Sequence, residues 1–245
     1  MKITPLGDSA LLLDVGSDSN EPAGPTLRRV LSIKRAIERA KIPGLIECAS
    51  SYQTVAAFFD PIVPMGQGVE AGAVGSWFET RIRKAAASGK SVPRFRFRKL
   101  EIPFCADPEF AFDLGDVALR TGLSEAQVLQ QYCATVFQVV SVGFTPGFPY
   151  LAGLSEKLAC PRRSSPRLSI PEGSVAIGGS QAGIYPMASP GGWNVIGRTP
   201  VTLFAPDRHP PAMLRPGDHV RFRTISRAEF EILRESGDAD VTSWK

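Results

Sequence analysis

Histidine is almost absent from this chain of 245 residues: His209 and His219 are the only two. One lies in a Pro-rich stretch and the other in a strand-like one, which leaves little for a His-ligated metal centre or a Ser-His-Asp relay. Cysteine is sparse too. Cys48, Cys105, Cys133 and Cys160 lie far apart and form no C-x-x-C, so neither a zinc ribbon nor a thioredoxin-type couple is present. With small or apolar neighbours, each reads as a buried reduced thiol. No apolar run approaches the length of a membrane span. The opening MKITPLGDSALLLDVG is broken by Asp8 and Asp14 and does not read as a signal peptide. A cytoplasmic protein that enters no membrane is expected. Charge of one sign is also missing. The 28 Lys and Arg against 24 Asp and Glu give +4, with small clusters at Arg81–Lys84 and Arg94–Lys99 that read as solvated faces.

Nucleic-acid recognition is excluded on similar grounds. Asp116–Gln131 has the spacing of a helix-turn-helix, with Ala118, Gly122 and Val128 in suitable places. Its second helix, however, has no Lys or Arg from Ser124 to Phe137, so it lacks donors for bases and phosphates.

What is present falls into two blocks. Ile3–Leu6 and Ala10–Val15 flank a Gly7-Asp8 turn and predict a hairpin. After a loop at Pro22–Pro25, residues 26–40 place Leu27, Val30, Ile33, Ile37 and Ala40 at helical spacing. Ile46–Cys48 and Thr54–Phe59 predict strands, and residues 69–87 a second helix closed by Gly89. This pattern predicts an α+β domain over residues 1–90, of ferredoxin-like type. Ser88–Pro93 marks the boundary to a second domain, residues 91–245. It opens on an alternating strand, Arg94–Ile102. Two helices follow, with Asp113 read as a cap, Asp116 in an acidic first turn, Gly122 as a C-cap and Ser124/Gln127 as a capping box. From Val136 to Phe222 the chain reads as strand and turn, with short apolar runs at Ser174–Ile177, Asn194–Ile196 and Val201–Phe204, the pattern of a small β-barrel or sandwich. Residues 226–235 predict a terminal helix, and Gly237 onward a frayed tail.

The densest segment is Gly143–Leu154, GFTPGFPYLAGL. Within it, Thr145–Tyr150 places two prolines and two aromatics around a single glycine, a stiff loop with exposed aromatics suited to the wall of a pocket or an interface. Gly178-Gly179-Ser180-Gln181-Ala182-Gly183 is neither a P-loop nor G-x-G-x-x-G. It reads either as a barrel turn needing positive φ or as amide donors for an anion, with Ser180 and Gln181 adding polar contacts. Arg162, Arg163, Arg167 and Arg198 lie on turns and read either as surface charge or as guanidinium forks for a carboxylate or phosphate. No acid/base couple and no activated nucleophile stands out.

The blocks Gly143–Leu154, Pro161–Pro171, Gly173–Gln181, Gly183–Pro186, Ser189–Trp193 and Ile196–Pro200, with Gly7–Leu12 and Leu214–Asp218, resemble the carboxyltransferase subdomain C/D family. The resemblance implies an α/β domain followed by a cyclophilin-like β-barrel. It implies one subunit of an ATP-dependent 5-oxoprolinase that converts 5-oxoproline to glutamate together with a homologous second subunit and a lactam-utilisation subunit. The substrate would be a lactam or amide, and ATP would be bound, if not here, then with the partner subunit. Alternatives within the family are a regulator that inhibits a sensor histidine kinase and a carboxyltransferase half acting on urea- or allophanate-type substrates. Resemblance and side-chain chemistry together nominate Thr145, Phe148, Arg167, Gly178, Gly179, Gln181, Tyr185 and Arg198 as the lining of the barrel cleft. Arg167 and Arg198 would hold a carboxylate or phosphate, Gln181 and the two glycine amides a carbonyl or phosphoryl oxygen, and Pro146–Tyr150 a rigid wall. The chain departs from the family pattern at Tyr132, Phe137, Thr202 and Ala205, and in Cys105–Phe110, which lacks two glycines.

Overall fold

A computed structural model describes residues 1–16, 23–88, 95–237 and 241–244. It divides into two compact units, Met1–Arg96 and Phe97–Lys245. Pro22 of the first loop, the expected helix stop at Gly89 and most of the Ser88–Pro93 linker lie outside the described residues.

In the first unit β1 (Lys2–Pro5) and β2 (Ala10–Asp14) form the expected hairpin, with Ile3 opposite Leu13 and Gly7 at φ +70° in the connection. Helix α1 (Ala23–Arg39) takes in Gly24 and Pro25, so the expected loop is shorter. The helix buries Leu27, Val30 and Ile37. Strands β3 (Leu45–Ser51) and β4 (Thr54–Phe59) follow, then a short turn of helix α2 (Ile62–Met65) that the sequence did not signal, and α3 (Val74–Ser88). Phe59 of β4 stacks on Phe78 of α3 at 4.0 Å between ring centroids. The strand order β1-β2-β4-β3 is antiparallel throughout. Elements run ββαββα, the order the sequence pattern predicts; the βαββαβ arrangement of the ferredoxin-like type is not the one formed. The cause is local: both strand pairs are joined by tight turns, so sequence neighbours pair as hairpins and no helical crossover intervenes.

The first strand of the second unit is β5 (Lys99–Phe104); residues 95–98 of the expected strand are not in it, and Arg94 lies outside the described residues. Then come α4 (Leu114–Thr121) and α5 (Glu125–Ala134). Gly122 is left-handed at φ +69°, and Ser124 and Gln127 form both bonds of the capping box, as expected. Strands β6 (Phe137–Val142), β7 (Pro149–Ala152), β8 (Arg167–Ile170), β9 (Ser174–Gly178), β10 (Gln181–Ile184), β11 (Ser189–Gly191), β12 (Asn194–Arg198) and β13 (His219–Thr224) precede α6 (Arg227–Ser236) and β14 (Thr242–Ser243). Val201–Phe204, expected as a strand, makes only a single bridge from Phe204 to Ala212, because Pro200 and Pro206 bracket it. Nor is the tail frayed throughout: β14 pairs with Leu100 and Glu101 of β5.

The main sheet of this unit runs β5-β13-β6-β7-β10-β9-β12. It is antiparallel except for the parallel pair β5/β13. It is not a closed ladder; one bridge, Cys105 to Arg198, joins the ends of β5 and β12. A separate two-stranded sheet pairs β8 with β11.

Both faces of β7, β9, β10 and β12 are covered, which explains why Ser174–Gly178 is buried at every position. Successive side chains in a strand point to opposite faces. Leu151, Val175, Ile177, Ala182, Ile184 and Ile196 join the large core with Phe104, Tyr132, Phe137 and Phe222. Ala176 and Val195, from the alternate positions, join Phe148, Ile170, Tyr185 and Trp193 in a second cluster, with Tyr150 packed against it. The candidate site lies in this second cluster.

Candidate functional site: an aromatic cavity

Three glycines make room for the aromatic cluster. A Cβ on Gly178 would run into the Trp193 ring, and one on Gly191 into the Tyr185 hydroxyl. One on Gly183 would stand 2.8 Å from Phe148 and 3.0 Å from Trp193. In the space so created, Phe148 meets Tyr150, Tyr185 and Trp193 edge-on, at centroid distances of 5.0, 5.2 and 5.6 Å. The 143–148 loop is closed on itself: the Gly143 amide donates to the Phe148 carbonyl and the Phe148 amide to the Thr145 carbonyl, at 3.0 and 3.1 Å. Phe144 at its tip is exposed and holds a left-handed φ of +75°, a conformation that concentrates at functional sites.

These walls enclose a cavity of about 330 Å³, at the small end of the range for ligand pockets. Phe144, Phe148, Tyr150, Tyr185 and Trp193 supply rings, Pro166 and Pro190 close the sides, and Arg162 is the cation, its guanidinium 5.7 Å over the Trp193 ring. Desolvation by burial pushes the Tyr185 hydroxyl up to about 12, so it remains a neutral hydroxyl at physiological pH. A wider groove of about 510 Å³, with Cys105, Asp107, Gln130, Cys133 and Arg227 among its lining, lies elsewhere on the unit. Burial raises both of its thiols, so neither is a ready nucleophile. Among the described residues no group of three or more His, Cys, Asp and Glu could hold a metal ion.

Of the nominated residues, the fold brings only Phe148 and Tyr185 into the cavity. Arg167 is not available for a ligand. Its fork closes on Asp113, Nη1 to Oδ2 and Nη2 to Oδ1, both at 2.8 Å. Arg163 joins it, with Nη1 2.7 Å from Asp113 Oδ1, and the Val195 amide donates to Oδ2 at 2.8 Å. Asp113, expected as a helix cap, makes no side-chain capping bond; it is 1% exposed and serves these three donors instead. Burial pushes the Asp113 carboxyl up. The Arg167 hydrogen bond, the Val195 amide and the charges of both arginines outweigh it, so the carboxyl is held below the ordinary carboxylate value. Arg198 sits at the end of β12, its Nε bonded to the Glu172 carbonyl at 2.7 Å and its guanidinium over Phe110, outside the cavity walls.

In the glycine-rich turn, one of the amides expected to meet an anion is already engaged. The Gly179 amide donates to the Cys160 carbonyl at 2.7 Å, and the Gly179 carbonyl accepts from the Cys160 amide at 3.1 Å. Gly178 is the surface on which Trp193 rests. Gln181 starts β10, half-buried and outside the cavity lining. Thr145 is half-buried, with its hydroxyl oxygen enclosed and without a partner among the described residues. The nominated lining left out Trp193 and Asp113, and it left out Arg162 although that residue was among the four arginines read as possible anion forks. The small residues at 176, 178, 183 and 191 signalled an adjoining large ring. Nothing in the sequence signalled that Asp113 meets arginines 50 and 54 positions away.

The profile of the carboxyltransferase domain, subdomain C and D, matches residues 1–214. A curated relative in Bacillus subtilis, named as a 5-oxoprolinase subunit, is 37% identical over 242 residues, covering 97% of this chain and 98% of its own length. The solved structure of TTHA0988 is 35% identical, with a TM-score of 0.71 over 89% of this chain, which spans 40% of that longer one. Urea amidolyase of Kluyveromyces lactis shares the fold at 20% identity, with a TM-score of 0.74 over 99% of this chain and 16% of its own. Matched by the profile over most of its length and by a relative end to end, the chain belongs to the carboxyltransferase domain, subdomain C and D, family.

Proposed function

We propose that this chain is one subunit of an ATP-dependent 5-oxoprolinase and that the aromatic cavity receives the lactam. The observation that carries this reading is the cavity itself. Aromatic and proline walls close on a small volume whose cation, Arg162, has no carboxylate partner among the described residues. 5-Oxoproline is a flat five-membered ring with one carboxylate. The ring suits the faces of Phe148, Tyr185 and Trp193, and the guanidinium of Arg162 offers a planar fork to the carboxylate. The name of the Bacillus subtilis relative supports the same substrate.

Ring opening adds water across the amide bond, and this cavity holds nothing to activate that water. Tyr185 stays protonated, and an arginine accepts no proton. In this reading the reacting groups come from a homologous second subunit and a lactam-utilisation subunit. ATP sits with a partner, because the glycine-rich turn keeps its Gly179 amide for Cys160. The assembly is cytoplasmic and the second unit cyclophilin-like. The test is co-expression with both partner subunits and an assay of glutamate formed from 5-oxoproline and ATP. Glutamate is expected from the complex and not from this chain alone. In the complex, Arg162→Ala should raise KM about tenfold or more with kcat retained, as the loss of a charge-assisted contact implies. An inactive complex, or an unchanged KM, overturns the assignment.

A further inference from the structure

Arg162 sits in an arm, residues 161–167, that is anchored on both sides. Before it, the Pro161 carbonyl accepts from Asn194 Nδ2 at 2.9 Å; after it, the Arg163 amide donates to the Gly192 carbonyl at 2.7 Å. The side chains of Arg163 and Arg167 then converge on one carboxylate, Asp113. That carboxylate is itself fixed to β12: Asp113 Oδ2 accepts from the Val195 amide, and the Asp113 amide donates to the Val195 carbonyl at 2.9 Å. Val195 stands two residues from Trp193, over whose ring Arg162 lies. One buried group therefore ties together the strand that supplies the aromatic floor and the arm that supplies Pro166 and the cation. It also occupies the two other arginines of the arm, so Arg162 alone among them faces the cavity.

We infer that Asp113 is a positioning residue for ligand binding: it holds the 161–167 arm against β12 so that Arg162 stands at the carboxylate end of the cavity. The inference rests on the lactam-binding reading above. A contact group is only as well placed as the groups that fix it.

The experiment uses the full-length chain and calorimetric titration with L-5-oxoproline, with 2-pyrrolidinone as the same ring lacking the carboxylate. The variant is the charge-neutral pair Asp113→Asn/Arg167→Gln, which dissolves the clamp without altering net charge. Its affinity for 5-oxoproline should fall about tenfold, the equivalent of one lost charge-assisted contact, while affinity for 2-pyrrolidinone stays at the wild-type value. In an Arg162→Ala background the same pair should cause no further loss, because the clamp acts through Arg162. Undiminished 5-oxoproline affinity in the folded pair variant overturns the inference and leaves the lactam reading standing. So does an equal loss in the Arg162→Ala background. Wild-type protein that binds neither ligand overturns the lactam reading, and the positioning role with it.

Discussion

At the scale of single residues, two buried polar groups behave in opposite ways. Asp113 is almost fully enclosed and fully served by donors. Its replacement by Ala leaves two guanidiniums and an amide without their acceptor and should cost about 3–5 kcal/mol, read as a fall in the denaturant midpoint. The pH dependence follows from the direction of its shift. A carboxyl held below its ordinary value contributes fully above the unfolded pKa of about 3.9 and loses that contribution as pH falls through the folded value. The stability gap between wild type and Asp113→Asn should therefore be constant from neutrality down to about pH 5 and shrink below about pH 4. A gap that persists to pH 2 would contradict the assignment. Tyr132 is the converse: fully buried among Phe104, Phe137 and Phe222, its hydroxyl has no partner among the described residues. Tyr132→Phe removes an unsatisfied polar atom and should leave stability unchanged or raise it by about 1 kcal/mol. A loss of that size in thermal or chemical unfolding would show that the hydroxyl is bonded in solution.

At the scale of elements, the strands of the second unit are built to be buried twice. β9 gives Val175 and Ile177 to the main core and Ala176 and Gly178 to the aromatic side. Gly178→Ala would place a methyl in the Trp193 ring, and no rotamer of a methyl group relieves the clash. The ring must move, with an expected cost of about 1–3 kcal/mol, and the cavity should change shape with it. The check is paired: lowered stability together with altered near-UV circular dichroism or lost ligand binding. Gly179→Ala controls for the ring alone: its Cβ would meet nothing within 4 Å, so it should leave the tryptophan signal unchanged, while its φ of +65° costs stability in its own right. An unperturbed tryptophan environment in the first variant would show that Trp193 lies elsewhere.

At the scale of the whole molecule, each unit has its own core. One is drawn from Ile3 to Ala85, the other from Leu100 to Phe222. A fragment of residues 97–245 should therefore fold on its own with a cooperative transition, since its core and aromatic cluster are complete within it. A non-cooperative melt of this fragment would refute that independence.

Local chemistry settled what the sequence could determine by itself. The Ser124/Gln127 capping box, the left-handed Gly122, the β1/β2 hairpin and the α1 stripe of Leu27, Val30 and Ile37 each depend on residues within a few positions of one another. The 143–154 segment was legible as a shaped wall because proline and glycine restrict the backbone wherever they stand. Tertiary structure alone decided the site. Side-chain type marks Arg167 and Arg162 as equal forks, but only the folded chain puts Asp113 against one and Trp193 beneath the other. The same holds for Gly178 and Gly179. In sequence they look like a cradle for an anion, and in the fold one is spent on an aromatic ring and the other on the backbone of Cys160. Composition can state which groups are able to bind an anion. Which of them remain unsatisfied after folding depends on partners that are distant along the chain, and those partners determine where a ligand can sit.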